Sequence, residues 1–87
     1  MLRITPIESS GRLTLKLEGK LLAPWVDELR TASALLVAFP GERGLDLSDL
    51  TFADDAGVRV LRELAGRGLP IIACSQFVSE LLHTVQS

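Results

Sequence analysis

Four aspartates, Asp46, Asp49, Asp54 and Asp55, fall inside the stretch LDLSDLTFADDAG, and carboxylate oxygens are the groups that hold a hard divalent cation. If they converged they would chelate Mg²⁺ and support a small metal-dependent enzyme. Their spacing argues against convergence. Asp46 lies in a strand-like segment, whereas Asp54 and Asp55 stand directly before Ala56-Gly57, where an apolar pattern of helical period begins. The first N–H groups of a helix lack partners within it, and Asp is among the best side chains to accept from them. One of the adjacent acids is therefore expected to cap the helix. The other adds negative charge beside the positive end of the dipole, worth about 0.3–1 kcal/mol at an exposed site. Gly57 asks for a further explanation. Glycine costs about 1 kcal/mol against Ala inside a helix, so its place in a first turn predicts that something approaches the backbone closely there.

The remaining reactive side chains pair poorly. Cys74 closes an apolar run and His83 lies nine residues further on, so a Cys/His nucleophile is disfavoured against a buried Cys acting as a small hydrophobe. Gly41-Glu42-Arg43-Gly44 lacks both the Lys and the spacing of a phosphate-binding loop. Trp25 reads first as a core or helix-end aromatic and second as a rim contact. No catalytic residue, bound metal or cofactor is expected.

The elements that position these residues must fit within 87 residues, which leave room for one domain over 1–87. Nine Lys and Arg against eleven Asp and Glu give a net charge of -2, and no basic cluster is present, which excludes nucleic acid as the expected ligand. One Cys cannot staple the fold, and MLRITPIESS lacks the apolar core of a signal peptide. The longest nearly apolar run, ASALLVAF at 32–39, is far short of the roughly 20 residues that cross a bilayer. A cytoplasmic domain without membrane association is expected.

Alternation at Leu2 and Ile4, and again at Leu13, Leu15 and Leu17, predicts two strands joined through Ser9-Ser10-Gly11 into an antiparallel hairpin. Pro24 opens a helix that carries Leu29 and Leu36 on its apolar face and ends near Phe39, before Pro40-Gly41. Leu45–Ser48 is strand-like, and Val58, Leu61, Leu64 and Ala65 mark a second helix that stops at Gly66 or Gly68. Leu69–Cys74 (LPIIAC) has the continuous apolar character of a parallel strand covered on both faces. Phe77, Val78, Leu81, Leu82 and Val85 define a last helix begun by Ser75-Gln76. The order β-β-α-β-α-β-α predicts a small α/β domain. Its four-stranded sheet is mainly parallel after the hairpin, with the strands at 45–48 and 69–74 central and right-handed crossovers.

The stretch GLDLSDLTFADDAGVRVLREL resembles the signature of STAS domains, the sulfate-transporter and anti-sigma-factor-antagonist family: a strand ending in Asp-Leu, a Phe, then Asp-Ser-Ser-Gly and an amphipathic helix. Asp46-Leu47, Phe52, Asp54 and Gly57 match it, and the likeness extends from the hairpin and Leu17-Glu18-Gly19 to Phe77-Val78-Ser79-Glu80-Leu81-Leu82. The resemblance implies a STAS-like fold and a non-catalytic, protein-binding role in bacterial signalling and transcription regulation. In the regulatory members the partner is an anti-sigma serine kinase, which phosphorylates the second Ser of Asp-Ser-Ser-Gly. The unmodified form binds that kinase so that the sigma factor is released.

The sequence departs from that pattern. Asp55 stands at the first Ser, Ala56 stands at the phosphoacceptor, and Leu22 stands where phosphorylated members carry an acid after Gly-x-Leu. A methyl group accepts no phosphoryl group, so no phosphorylation is expected at the usual site. Asp55 lies one residue early and carries one charge, which favours a permanently unmodified state over a built-in phosphate mimic. The expected partner surface is the exposed helix start, Asp54, Asp55, Ala56, Gly57 and Val58, with Arg59 and Arg62 at its rim and its small residues admitting another backbone. The family's further strand and helix have no counterpart after Leu82, which implies an exposed edge or a shortened chain. A homodimer through the last strand and helix is the remaining alternative to the metal-dependent enzyme.

Overall fold

The computed structural model describes residues 2–84; the expected helical position Val85 lies outside them, and so does the side chain of His83. Strands β1 (Leu2–Ser9) and β2 (Arg12–Leu21) pair antiparallel, with Leu2 opposite Gly19 and Ser9 opposite Arg12. Between them Ser10 and Gly11 have φ of 52° and 78°. Positive φ at both central residues is the primed hairpin turn, whose twist matches that of the flanking strands.

After β2 comes a 3-10 turn at Ala23–Trp25, then α1 (Val26–Ala38). The fixed φ of Pro24 serves that turn, so the α-helix begins two residues later than Pro24 implies. Helix α1 carries no basic residue in its last turn. Arg43, from the next strand, supplies the missing charge: its Nη1 donates to the carbonyls of Leu36 at 3.1 Å and Val37 at 2.9 Å. Strand β3 runs from Glu42 to Ala53, α2 from Asp55 to Gly66, β4 from Ile71 to Cys74, and α3 from Gln76 to Thr84.

The sheet order is β1-β2-β3-β4, and β2–β3 and β3–β4 are both parallel, Leu15 lying beside Leu45 and Leu45 beside Ile71. The expected element order and mainly parallel sheet are therefore the observed ones. One expectation is corrected: the strand drawn from LPIIAC is at the sheet edge, and it is not covered on both faces. Ile72 is 47% exposed. Its side chain lies over Gly44 of the neighbouring strand, where a Cβ would meet Ile72 Cγ2 at 2.7 Å. An apolar residue there shields a glycine on an otherwise uncovered surface.

Side chains alternate across the strands. Leu13, Leu15, Leu17, Leu45 and Leu47 turn to one face, where they form a single core with Leu29 and Leu36 of α1, Val58, Leu61 and Leu64 of α2, and Val78 of α3. Thr14, Lys16 and Asp46 turn to the opposite face, where they are half-buried. The shortest dimension, 19 Å, fits one sheet and one layer of helices at a spacing of about 10 Å. Arg30 of α1 donates to Glu63 of α2 at 3.1 Å, and this contact holds the Glu63 carboxyl below its ordinary range. No helix among the described residues is long and apolar enough to cross a membrane.

Candidate functional site

The acidic loop is a joint between three segments. As β3 ends, the Asp54 N–H donates to the Leu21 carbonyl at 3.1 Å, and the Asp54 carbonyl accepts the first helical bond from Val58 N at 2.8 Å. The two carboxylate oxygens divide their work. Oδ1 accepts from the Gly57 N–H at 2.8 Å, which makes Asp54 the N-cap of α2. Oδ2 accepts from the Ala23 N–H at 2.9 Å, across 31 residues of sequence. One side chain thus ties the start of α2 to the turn that follows β2. Asp55, the first residue of α2, is exposed beside the positive end of the helix.

Gly57 has the close neighbour that its position predicts, and that neighbour belongs to the chain itself. A Cβ at residue 57 would sit 2.5 Å from the Leu21 carbonyl oxygen, 2.9 Å from Leu21 Cγ and 3.3 Å from the Ala53 Cβ. Gly57 is buried and Val58 is 1% exposed. The expectation that the whole helix start is exposed is therefore corrected for these two residues, which face β2 and the core. Of the expected patch, Asp55 and Arg59 are exposed and Asp54, Ala56 and Arg62 are half-buried, with Ala56 packed against the core.

The other expected candidates are engaged locally. Asp46 accepts from the Ser48 N–H at 2.9 Å and the Ser48 hydroxyl at 2.7 Å, and the hydroxyl bond is the larger cause of a carboxyl pKa below its ordinary value. Asp49 pairs with Lys16 at 3.0 Å, and that bond raises the Lys16 pKa. Asp46, Asp49 and Asp54 each engage a different partner, and among the described residues no three His, Cys, Asp or Glu side chains come together as a metal site. Cys74 is half-buried, and burial pushes its thiol pKa up, away from a nucleophilic thiolate. Trp25 and Leu22 are half-buried, with Trp25 packed against the core. The Thr51 hydroxyl donates to the Gly19 carbonyl at 2.9 Å.

Two residues beside this joint escaped the sequence reading as surface groups. Phe52, on the last turnless stretch of β3, is 36% exposed, and Phe77, in the first turn of α3, is 51% exposed. Their ring centroids lie 6.1 Å apart with the planes at 31°. Phe77 was expected on the apolar face of the last helix. Val78, Leu81 and Leu82 already supply that face, and a surplus aromatic next to a complete stripe is the signal that marks it.

An antiparallel hairpin running into a parallel α/β sheet, with a capped helix springing from its inner strand, is a STAS-like architecture. Among solved structures, the anti-sigma factor antagonist SpoIIAA in its unphosphorylated form superposes with a TM-score of 0.61 at 18% identity, over 93% of this chain and 82% of that one. A crystal structure of Mglu gives 0.62 at 20% identity over 79% of this chain, and Mglu in its native form gives 0.51 at 20% over 82%. The chain spans only 18% and 23% of those two Mglu chains. At these identities the likeness is one of fold. No family model and no curated protein matches the chain.

Proposed function

We propose that this domain works by binding another protein through the start of α2, in the manner of an anti-sigma factor antagonist held in its unmodified state. The observation that carries the reading is the Asp54 joint. It fixes the helix start to two other segments and leaves Asp55 exposed beside the half-buried Ala56, where the resemblance puts a phosphoacceptor hydroxyl. The partner class is an anti-sigma serine kinase, and Arg59 stands at the rim of the contact. Asp54 and Gly57 act by holding the surface in shape, and Val58 acts by anchoring the helix beneath it. The fold shared with unphosphorylated SpoIIAA supports a binding role over a catalytic one, as do the separate engagements of Asp46, Asp49 and Asp54.

The test pairs the domain with an anti-sigma kinase of its source organism, with and without ATP. The native chain binds and keeps its affinity through incubation, Asp55→Arg loses about tenfold or more, and Ala56→Ser alone is phosphorylated and released. Stoichiometric phosphate on the native chain with loss of binding, at Ser48, Thr51 or elsewhere, would refute the acceptor-less switch. Unchanged affinity in both Asp55→Arg and Arg59→Glu would place the contact on another surface. A second reading, self-association, rests on the outer edge of β4, which has no neighbouring strand among the described residues; light scattering over a concentration series tests it.

A further inference from the structure

We propose that Phe52 and Phe77 form the apolar anchor of the interaction surface. Its partner is then a protein segment that presents an apolar side chain between a basic residue, on the side of Asp55, and an acidic one, on the side of Lys20. The proposal rests on the reading of the α2 start as a partner surface and extends that surface to the start of α3.

The two rings make one patch, with centroids 6.1 Å apart, and leave 36% and 51% of the residues open to solvent. The residue that follows each ring, Ala53 and Val78, is in the core at 2% and 0% exposed, so the fold turns both rings outward. The segments that carry them are tied together. The Ser75 hydroxyl donates to the Leu50 carbonyl at 3.1 Å and the Ser75 N–H to the Leu47 carbonyl at 3.4 Å, which pins the start of α3 against β3. Rigid aromatics at a surface lose little conformational entropy when a partner covers them, and aromatic residues dominate the energetics of interfaces.

Charge then selects the kind of partner. Lys20 lies directly beside Phe52 on β2 and is exposed, while Asp55 follows Phe52 by three residues at the exposed helix start. Neither side chain takes part in an ion pair among the described residues. An apolar group seated on the rings brings its flanking residues against one acid and one base, so the complementary order is base, apolar residue, acid.

A random peptide display library selected on the immobilised native domain reads this chemistry directly. Enriched peptides share an apolar residue flanked by Lys or Arg on one side and Asp or Glu on the other. Their affinity falls about tenfold or more in Phe52→Ser and in Phe77→Ser, both shown to be folded by thermal unfolding. Asp55→Lys shifts the selected basic position to acidic. Enriched peptides that bind both Phe variants with unchanged affinity overturn the proposal, as does a selection that enriches nothing. Concentration-dependent dimerisation lost in the Phe variants overturns it in favour of a second copy of the chain. The selection uses neither kinase nor ATP, so its failure leaves the acceptor-less switch standing, and failure of the kinase experiment leaves the peptide result intact.

Discussion

At the joint from β3 to α2, one carboxylate holds two segments at 2.8 and 2.9 Å, and a glycine lies against the carbonyl of the neighbouring strand. At the joint from β4 to α3 the cap is a hydroxyl. Ser75 Oγ accepts from Val78 N at 3.3 Å, and no side chain there reaches another loop of the described chain as Asp54 does. The first joint lies on an inner strand and is fixed from both sides, whereas the second follows the edge strand and its serine hydroxyl is tied to β3. The difference teaches that the same local device, an oxygen capping a helix, carries very different weight according to what else its atoms hold.

The largest effect that would sharpen this contrast is expected from Gly57→Ala. Its Cβ would meet backbone rather than the end of a flexible side chain, so the loss should be about 3 kcal/mol or more, read from the urea midpoint. A melt within error of the native chain would mean the first joint is not tight. Asp54→Ala removes the cap and leaves the Ala23 N–H to water, for about 2 kcal/mol; Asp54→Asn, which keeps one acceptor oxygen, should recover part of that. Ser75→Ala should cost only about 0.5–1 kcal/mol, with faster amide exchange confined to the start of α3. If it cost as much as Asp54→Ala, the comparison between the joints would break.

A smaller effect is expected from Asp55→Asn, about 0.3–0.5 kcal/mol and fading at high salt, since Asp55 acts only through the dipole. The smallest belongs to a carboxylate outside both joints. The folded-state pKa of Asp46 is lowered, first by the Ser48 hydroxyl and then by the Ser48 N–H. Its stabilisation is therefore present above the unfolded pKa and is lost as pH falls through the folded one. Asp46→Asn should lower stability at pH 7 and flatten that part of the acid limb, which paired urea titrations at pH 7 and pH 3 would measure.

The two joints also mark how far the sequence could be read. The Asp54-Asp55 pair and Ser75 were legible as helix starts, though not which acid caps, because capping is local, needing only the residue type and the apolar period that follows. The close approach to Gly57 was legible as a fact but not in its source. The Leu21 carbonyl is far off along the chain, and the sequence suggested a partner where the fold provides its own strand. The length of β3 was hidden for a similar reason. Asp46, Ser48 and Asp49 break the apolar alternation, yet the strand continues to Ala53 because β2 pairs alongside it, through register shifts at Lys16/Glu18 and Gly19/Lys20. The edge position of β4 could not be read from LPIIAC, since a short apolar run looks alike at an edge and in a centre. The outward turn of Phe77 depended on which of several apolar residues the core had room for.

The guanidinium of Arg43, which completes the last turn of α1, has a consequence for the order in which the chain takes shape. Arg43 enters the chain five residues after that helix ends. The contact closes a loop of only six or seven residues, so it costs little chain entropy compared with the long-range pairing of β2 and β3. Once it is made, the first residues of β3 are fastened to the end of the helix they are to cover.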